Sequence, residues 1–408
     1  MDFGDDEATW GAEDEESAPA DRRLLFSGLA FAWTLATTVA MLLQATQPEK
    51  GALRLEHFNG WQFMICCVII WHHYCDPNNF AQIAYCSVTF FVFFSGFVTQ
   101  HAYADKMAGP KANLLSFYLR RVGRVLPIYY GIHFLVLIAN KESPTTDFQD
   151  SVLMLCTWHG SSPSTNFPAW TVCALFWCWL FAPLPSKLIL WIRQSCGASA
   201  KYPLAVWLVL VILGTLDEIW SRFVLQDEDM DLDFWFYETK HNVFIFALGM
   251  GTCEVAQRLP ARGLWKWFWP LWCDATLLGT LLVTATWTAT DGFISWGSTF
   301  WSGCYAPVAV WVLSSTLGHQ SLLNRLISHR LLRLLGEYTM QIYLLANPIH
   351  DLLPQVDVSQ LYLAIFVCSV ALTDLVERPM AERLKRATDA LQSTGAREED
   401  GSLLAEGA

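Results

Sequence analysis

The chain consists largely of apolar runs of about 20 residues each, and these runs constrain its fold more than any other feature. A helix needs about 20 mostly apolar residues to cross a bilayer. Charged residues make up only 16% of the chain, whereas a soluble domain carries about 25%. We therefore predict an all-α, polytopic transmembrane helix bundle. The runs lie at 24–43, 60–77, 83–103, 122–140, 169–187, 203–220, 235–257, 267–288, 296–316, 334–353 and 359–376.

Lysine and arginine predict the orientation of this bundle, because cytosolic loops of membrane proteins are enriched in them. With the run at 24–43 left aside, 21 of the 26 cationic residues fall in alternate connecting segments, on one side. Only Lys141, Arg222 and Lys240 fall on the other side. This asymmetry predicts a ten-span core with both ends in the cytosol. We expect residues 24–45 to form a further N-terminal span, although Arg22 and Arg23 would then lie on the less favoured side.

The chain ends differ from the core in composition. Residues 1–23 are rich in Asp and Glu and contain no Lys or Arg before Arg22, which predicts a disordered acidic tail. We predict a second disordered tail at 387–408 and a membrane domain at 55–386. The twelve cysteines include no CxxC pair, so we expect small buried hydrophobic residues, with no disulfide framework and no metal centre.

Two adjacent histidines end the run "VIIWHHYCDP", residues 68–77. His72 and His73 lie about 18–20 Å along a helix that starts at Gly60, in the outer half of the bilayer. An ionisable residue at such a depth is a candidate functional residue. Asp76 lies three and four residues further on and could orient either ring. A histidine at the interface with a hydrated ring, or a metal site including Cys75, would also fit this pattern.

Three arginines lie at the cytosolic start of another run, in "FYLRRVGRVLP", residues 117–127. Arg120 and Arg124 share one helix face, and Arg121 is three residues from Arg124. Such arginines often only anchor a helix at the cytosolic surface. Guanidinium groups also bind phosphate oxygens in a forked geometry, so the cluster could hold the phosphates of a coenzyme A nucleotide.

Seven segments in order give the chain a resemblance to the acyltransferase-3 family of integral membrane O-acyltransferases. The first segment resembles an L-D-G-L-R-G pattern followed by an apolar run that ends in histidine, and the third resembles F-L-x-R-R-x-x-R-I-x-P. The segments are "FNGWQFMICCVIIWHHY" (58–74), "TFFVFFSGF" (89–97), "FYLRRVGRVLP" (117–127), "FPAWTVCALFW" (167–177), "FALGM" (246–250), "YTMQIYLLANP" (338–348) and "VERP" (376–379).

The resemblance implies an enzyme that moves an acyl group, often acetyl, from cytosolic acyl-CoA to a hydroxyl of a carbohydrate or lipid-linked acceptor. It implies a general base at His73, with His72 as the alternative and Asp76 beside them. We expect acyl-CoA, the acceptor and membrane lipids as partners, with no nucleic acid and no metal. The arginines and Gln62 would bind the donor. Ser95, Gly96 and Trp170 would line the substrate cavity.

The chain departs from the family pattern where charged residues are usual. Uncharged residues stand there, namely Gln62, Thr89 and the positions near Leu175 and Ile245. A catalytically silent family member is therefore one alternative. A proton-coupled transporter that uses His73 as a relay is another.

Overall fold

A computed structural model describes residues 20–44, 53–74, 77–109, 112–140, 146–159, 166–196, 202, 204–209, 212, 239–259, 263–288 and 305–390. The regular structure of these residues is helical, without a strand, which confirms the all-α prediction. The helices are α1 Ala20–Gln44, α2 His57–Tyr74, α3 Pro77–Ala108, α4 Leu114–Asn140, α5 Thr146–Val152, α6 Trp170–Phe181, α7 Pro183–Cys196, α8 Thr239–Ala256, α9 Trp265–Thr288, α10 Tyr305–Leu317, α11 Leu322–Ile327, α12 Arg330–Gly336, α13 Thr339–Leu352 and α14 Val358–Leu372. α14 continues through a π-helical turn, Thr373–Glu377, to Ala390.

The described helices follow the apolar runs; many of their apolar side chains are buried, whereas α14 leaves residues such as Leu363 and Val367 exposed. Local signals set some ends: Asp357 caps α14 by accepting hydrogen bonds from the backbone N–H groups of Ser359 and Gln360. The run at 203–220 lies mostly outside the described residues. The two predicted tails also lie outside them, except for 20–23 and 387–390, which are helical.

One described helix is long and apolar enough to cross a membrane by itself, Val358–Ala390. The helices Trp170–Phe181 and Pro183–Ser195 pass the same test together, although the chain bends by 42° between them. The ten-span core and the additional N-terminal span therefore stay predictions.

Contacts between helices agree with the predicted alternation of sides. Arg333 pairs with Glu56 at 2.9 Å, and both lie in segments assigned to the cytosol. Arg120 pairs with Asp389 in the same way. At the opposite end, the Tyr74 hydroxyl of α2 donates to Asn347 of α13 at 3.2 Å. Ends that share a side in the predicted topology are therefore in contact.

α3 and α8 cross with their backbones in contact. A Cβ atom built on Gly96 would lie 2.0 Å from the carbonyl oxygen of Phe246, and one on Gly249 would lie 2.0 Å from that of Phe93. Only glycine permits this approach. The crossing positions the residues beside Gly96, including Ser95, against α4 and α6.

Candidate active site

A cavity of about 600 Å³ lies where α2, α3, α4, α6, α13 and the π-helical turn meet. Its wall includes Leu55, Tyr103, Gly336 and Arg378, which lie in or next to segments that we assign to the cytosolic side. Phe91, Phe94, Val98, Leu175 and Met340 supply apolar wall. The cavity is therefore partly apolar and lies toward the predicted cytosolic face.

Five residues singled out in the sequence line this cavity together. Gln62 comes from α2 and Ser95 from α3, while Arg120, Arg121 and Arg124 come from α4. These residues belong to three separate motifs of the sequence. The fold therefore brings the predicted donor-binding residues to one place.

Arg121 is held inside the cavity by neutral groups. Its Nη2 donates a hydrogen bond to Ser95 Oγ at 3.0 Å. Its guanidinium also lies over the Trp179 ring, 5.0 Å from the ring centroid, in a cation–π contact. Trp179 Nε1 donates to the same Ser95 oxygen at 3.2 Å. Ser95 and Trp179 thus hold the guanidinium in position and are hydrogen-bonded to each other.

The other arginines of the cavity wall have carboxylate partners. Arg124 pairs with Glu377, and Arg120 pairs with Asp389. Arg378 pairs with Glu337 at 2.7 Å and with Asp374 at 2.6 Å. Arg121 is the lining arginine for which the described part of the chain supplies no carboxylate. Its positive charge is the one most available to an anionic ligand.

Glu377 is a site residue that the sequence reasoning did not assign. Its side chain is 1% exposed, and besides pairing with Arg124 it accepts a hydrogen bond from Gln341 Nε2. The available signal was an acidic residue at the end of an apolar run, inside the motif "VERP", because a buried acid in such a place requires a partner. The partner could not be read from the sequence, since Arg124 is 253 residues away.

Two predicted cavity residues lie elsewhere. Gly96 is at the crossing of α3 and α8, where it packs against backbone. Trp170 is buried at the start of α6 in an apolar cluster, whereas its neighbour Thr171 lines the cavity and shares a 2.8 Å hydrogen bond with the Tyr343 hydroxyl.

The histidine pair lies outside the cavity wall. His73 is exposed on α2 and His72 is partly buried, with 5.0 Å between their ring centroids. His73 is eleven positions after Gln62, which is about 16 Å along a helix. Beside the pair, Tyr74 stacks on His350 at 4.6 Å. Asp76, the predicted orienting residue, lies outside the described residues, as does Cys75.

An apolar cluster separates the cavity from the histidines along α2 and α13. We call it the apolar layer; its α2 and α13 members are Cys66, Ile69, Ile70, Ile342, Tyr343, Ala346 and Ile349, and Trp170 and Ala174 of α6 pack with them. The α2 members lie between Gln62 and His73, and the α13 members lie between Gln341 and His350. A group that moves along α2 and α13 from the cavity to the histidines has to pass this layer.

The four neutral positions divide into two groups. Gln62 and Leu175 face the cavity. Thr89 and Ile245 are buried on α3 and α8. Loss of charge at the first two changes the cavity wall, whereas a charge at the other two would need a buried partner.

Comparison with known proteins identifies the class. A family model described as an acyltransferase domain matches residues 55–378. The chain therefore belongs to the acyltransferase-3 family, whose proteins are membrane proteins, and the resemblance inferred from the seven segments is confirmed. Searches among curated proteins and among solved structures gave no significant match.

Proposed function

We propose that the protein transfers an acyl group, in particular acetyl, from cytosolic acyl-CoA to a hydroxyl of a carbohydrate or lipid-linked acceptor. One observation carries this proposal: Gln62, Ser95 and the arginines of α4, from three family motifs, line one cavity. The cavity wall contains both arginines and apolar residues. A donor that carries phosphates and an acyl chain requires both.

Arg121 is the residue that we assign to the phosphates. It projects into the cavity, Ser95 and Trp179 orient it, and it has no carboxylate among the described residues to compete with a ligand. Arg120 and Arg124 stand beside it, but each would have to share its charge with Asp389 or Glu377. We therefore expect Arg121 to contribute most to donor affinity.

His73 is the proposed general base on the acceptor hydroxyl, with His72 as the alternative. An imidazole suits proton transfer near neutral pH. Because His73 lies about 16 Å beyond Gln62 along α2, the acyl end of the donor would have to cross the apolar layer to reach an acceptor at the outer end. Phosphates would stay at the cytosolic end.

The decisive experiment supplies labelled acetyl-CoA to the purified protein in lipid nanodiscs and measures binding and label transfer or release. We expect Arg121→Gln to weaken acetyl-CoA binding by about 10- to 100-fold, the loss of a charge-assisted hydrogen bond. We expect His73→Ala to bind acetyl-CoA normally and to lose about 10²- to 10⁴-fold in turnover.

Matched variants separate the parts of this proposal. Arg120→Gln removes the same charge from an arginine that already has a carboxylate partner, so it should weaken binding less than Arg121→Gln. Loss of turnover in His72→Ala with full turnover in His73→Ala would move the base to His72. A wild-type protein that neither binds acetyl-CoA nor turns it over would refute the enzyme function.

A further inference from the structure

Four buried polar atoms in the cavity wall have no hydrogen-bond partner in the described part of the chain: Nε of Arg120, Nε of Arg121, Oε1 of Gln341 and Oγ1 of Thr373. Two of the four belong to neutral side chains. They are Oε1 of Gln341, a residue 1% exposed, and Oγ1 of Thr373, a residue 2% exposed. Nearby hydroxyls in the same wall are satisfied: Thr339 donates to a backbone carbonyl, and Thr171 bonds to Tyr343. Buried polar atoms are rarely left unpaired, so the exceptions point to a ligand.

The orientation of the Gln341 amide follows from its neighbour. The carboxylate of Glu377 can only accept hydrogen bonds, so the amide directs its Nε2 toward Glu377. Arg124 holds Glu377 from another side. Oε1 is therefore the atom that remains available, and it requires an N–H or O–H donor.

Thr373 begins the π-helical turn that also contains Glu377. A threonine inside a helix commonly bonds to a carbonyl one turn earlier, as Thr388 does with Leu384 at 2.9 Å on the same long helix. The Thr373 hydroxyl has no such bond. π-helical turns are frequent at functional sites, and this turn contributes both Thr373 and Glu377 to the cavity wall.

The two atoms fit a neutral amide group. Gln341 Oε1 can accept from an amide N–H, and the Thr373 hydroxyl can donate to an amide carbonyl. The charge of Glu377 is already balanced by Arg124, so this part of the wall has no unpaired charge that would favour an ionic group. Acyl-CoA carries two secondary amides in its pantetheine arm, between its phosphates and its thioester.

We propose that Gln341 and Thr373 form a subsite for a pantetheine amide of the bound acyl-CoA. The subsite rests on the proposed function, since it uses the same cavity and the same donor. It would hold the neutral arm of the donor while Arg121 binds the phosphates.

Two ligands separate the arm from the nucleotide in a binding experiment. Acetyl-CoA has the arm, whereas adenosine 3′,5′-bisphosphate has phosphates without it. Thr373→Val removes the hydroxyl with little change of shape, and Thr373→Ser keeps it. We expect Thr373→Val to weaken acetyl-CoA binding by about 2- to 12-fold, the loss of one neutral hydrogen bond, and to leave adenosine 3′,5′-bisphosphate binding unchanged. Thr373→Ser should restore the affinity for acetyl-CoA.

Control variants test whether the effect belongs to the subsite. Thr388→Val makes the same change on the same helix, at a hydroxyl that bonds to backbone, and should leave both affinities unchanged. Gln341→Met removes both the Oε1 acceptor and the Nε2 donor to Glu377, and it provides a second test if Thr373→Val does not fold. We expect it, too, to weaken only acetyl-CoA binding, whereas Arg121→Gln should weaken both ligands.

Four other results would overturn the subsite or the proposed function. Unchanged acetyl-CoA affinity in both Thr373→Val and Gln341→Met would overturn the subsite alone, and would assign the two atoms to buried water. Equal loss for both ligands would overturn it as a general distortion. A change confined to the KM for the acceptor would replace the pantetheine amide by an acceptor hydroxyl. Failure of the wild type to bind either ligand would overturn the proposed function itself.

Discussion

Replacing Glu377 by glutamine tests the electrostatic account of the cavity most directly. Glutamine keeps the size of the side chain but removes its charge. The change weakens the pairing with Arg124 and brings a second amide against Gln341. It leaves Arg124 without a carboxylate partner in the described structure.

The expected magnitude follows from the unequal burial of the pair. Removing one member of a fully buried ion pair costs about 3–5 kcal/mol. The Glu377 side chain is 1% exposed, but that of Arg124 is 54% exposed, so water can solvate the arginine that remains. The cost therefore falls toward that of charge-assisted hydrogen bonds, about 1.5–3 kcal/mol in the free energy of unfolding.

Glu337→Gln is a matched control, because it makes the same change at an exposed pair in the same cavity wall. Glu337 and Arg378 are 49% and 46% exposed, and such pairs contribute about 0–1 kcal/mol. Reversible denaturation in mixed detergent micelles measures both variants on one scale. The double-mutant cycle of Arg124→Gln with Glu377→Gln then isolates the coupling between the two side chains.

We expect a coupling energy of about 1–3 kcal/mol for Arg124 and Glu377. If Glu377→Gln costs no more than Glu337→Gln and the cycle gives no coupling, the buried pair does not stabilise the fold. The assignment of Arg121 as the available cation would then lose its basis, because Arg124 would be equally available.

Two further predictions concern packing. Gly249→Ala should unfold the protein or cost about 3 kcal/mol or more in the free energy of unfolding, because the new Cβ would lie 2.0 Å from a backbone oxygen of α3. Gly279→Ala, whose new Cβ would have nothing within 4 Å, should be neutral or stabilise the protein by up to about 1 kcal/mol. Comparable losses of stability in both variants would contradict the close crossing of α3 and α8. Ala346→Leu adds side-chain volume to the apolar layer. We expect acetyl transfer to the acceptor to fall while acetyl-CoA binding in the cavity is kept. Full transfer in this variant would show that the acyl group takes another route.

The helices were predictable because each apolar run of about 20 residues can be recognised in the sequence without knowledge of its neighbours. Their ends were less so: α3 extends to Ala108 and the last helix to Ala390, beyond the apolar runs at 83–103 and 359–376. On the last helix, polar residues continue beyond the apolar run, and one of them, Asp389, pairs with Arg120 of α4. Contacts of this kind join distant segments and leave no pattern in the sequence.

Part of the cavity lining was predictable from the sequence. Motif order identified Gln62, Ser95 and the arginines, and all of them line the cavity. Sequence spacing could not tell that Gly96 serves a helix crossing or that Arg121 differs from its neighbours. Those distinctions depend on which carboxylates lie nearby in space, and Glu377 reaches Arg124 only through the packing of the last helix on α4.

The separation of the arginines from the histidines constrains the proposed mechanism. Carrying a phosphate through an apolar layer is costly, because a charged group loses its hydration there. A thioester with a neutral arm avoids that cost, provided that the amides of the arm find hydrogen-bond partners. The proposed roles therefore form one consistent order along the donor: Arg121 for the phosphates, Gln341 and Thr373 for an amide, and His73 beyond the apolar layer for the acceptor.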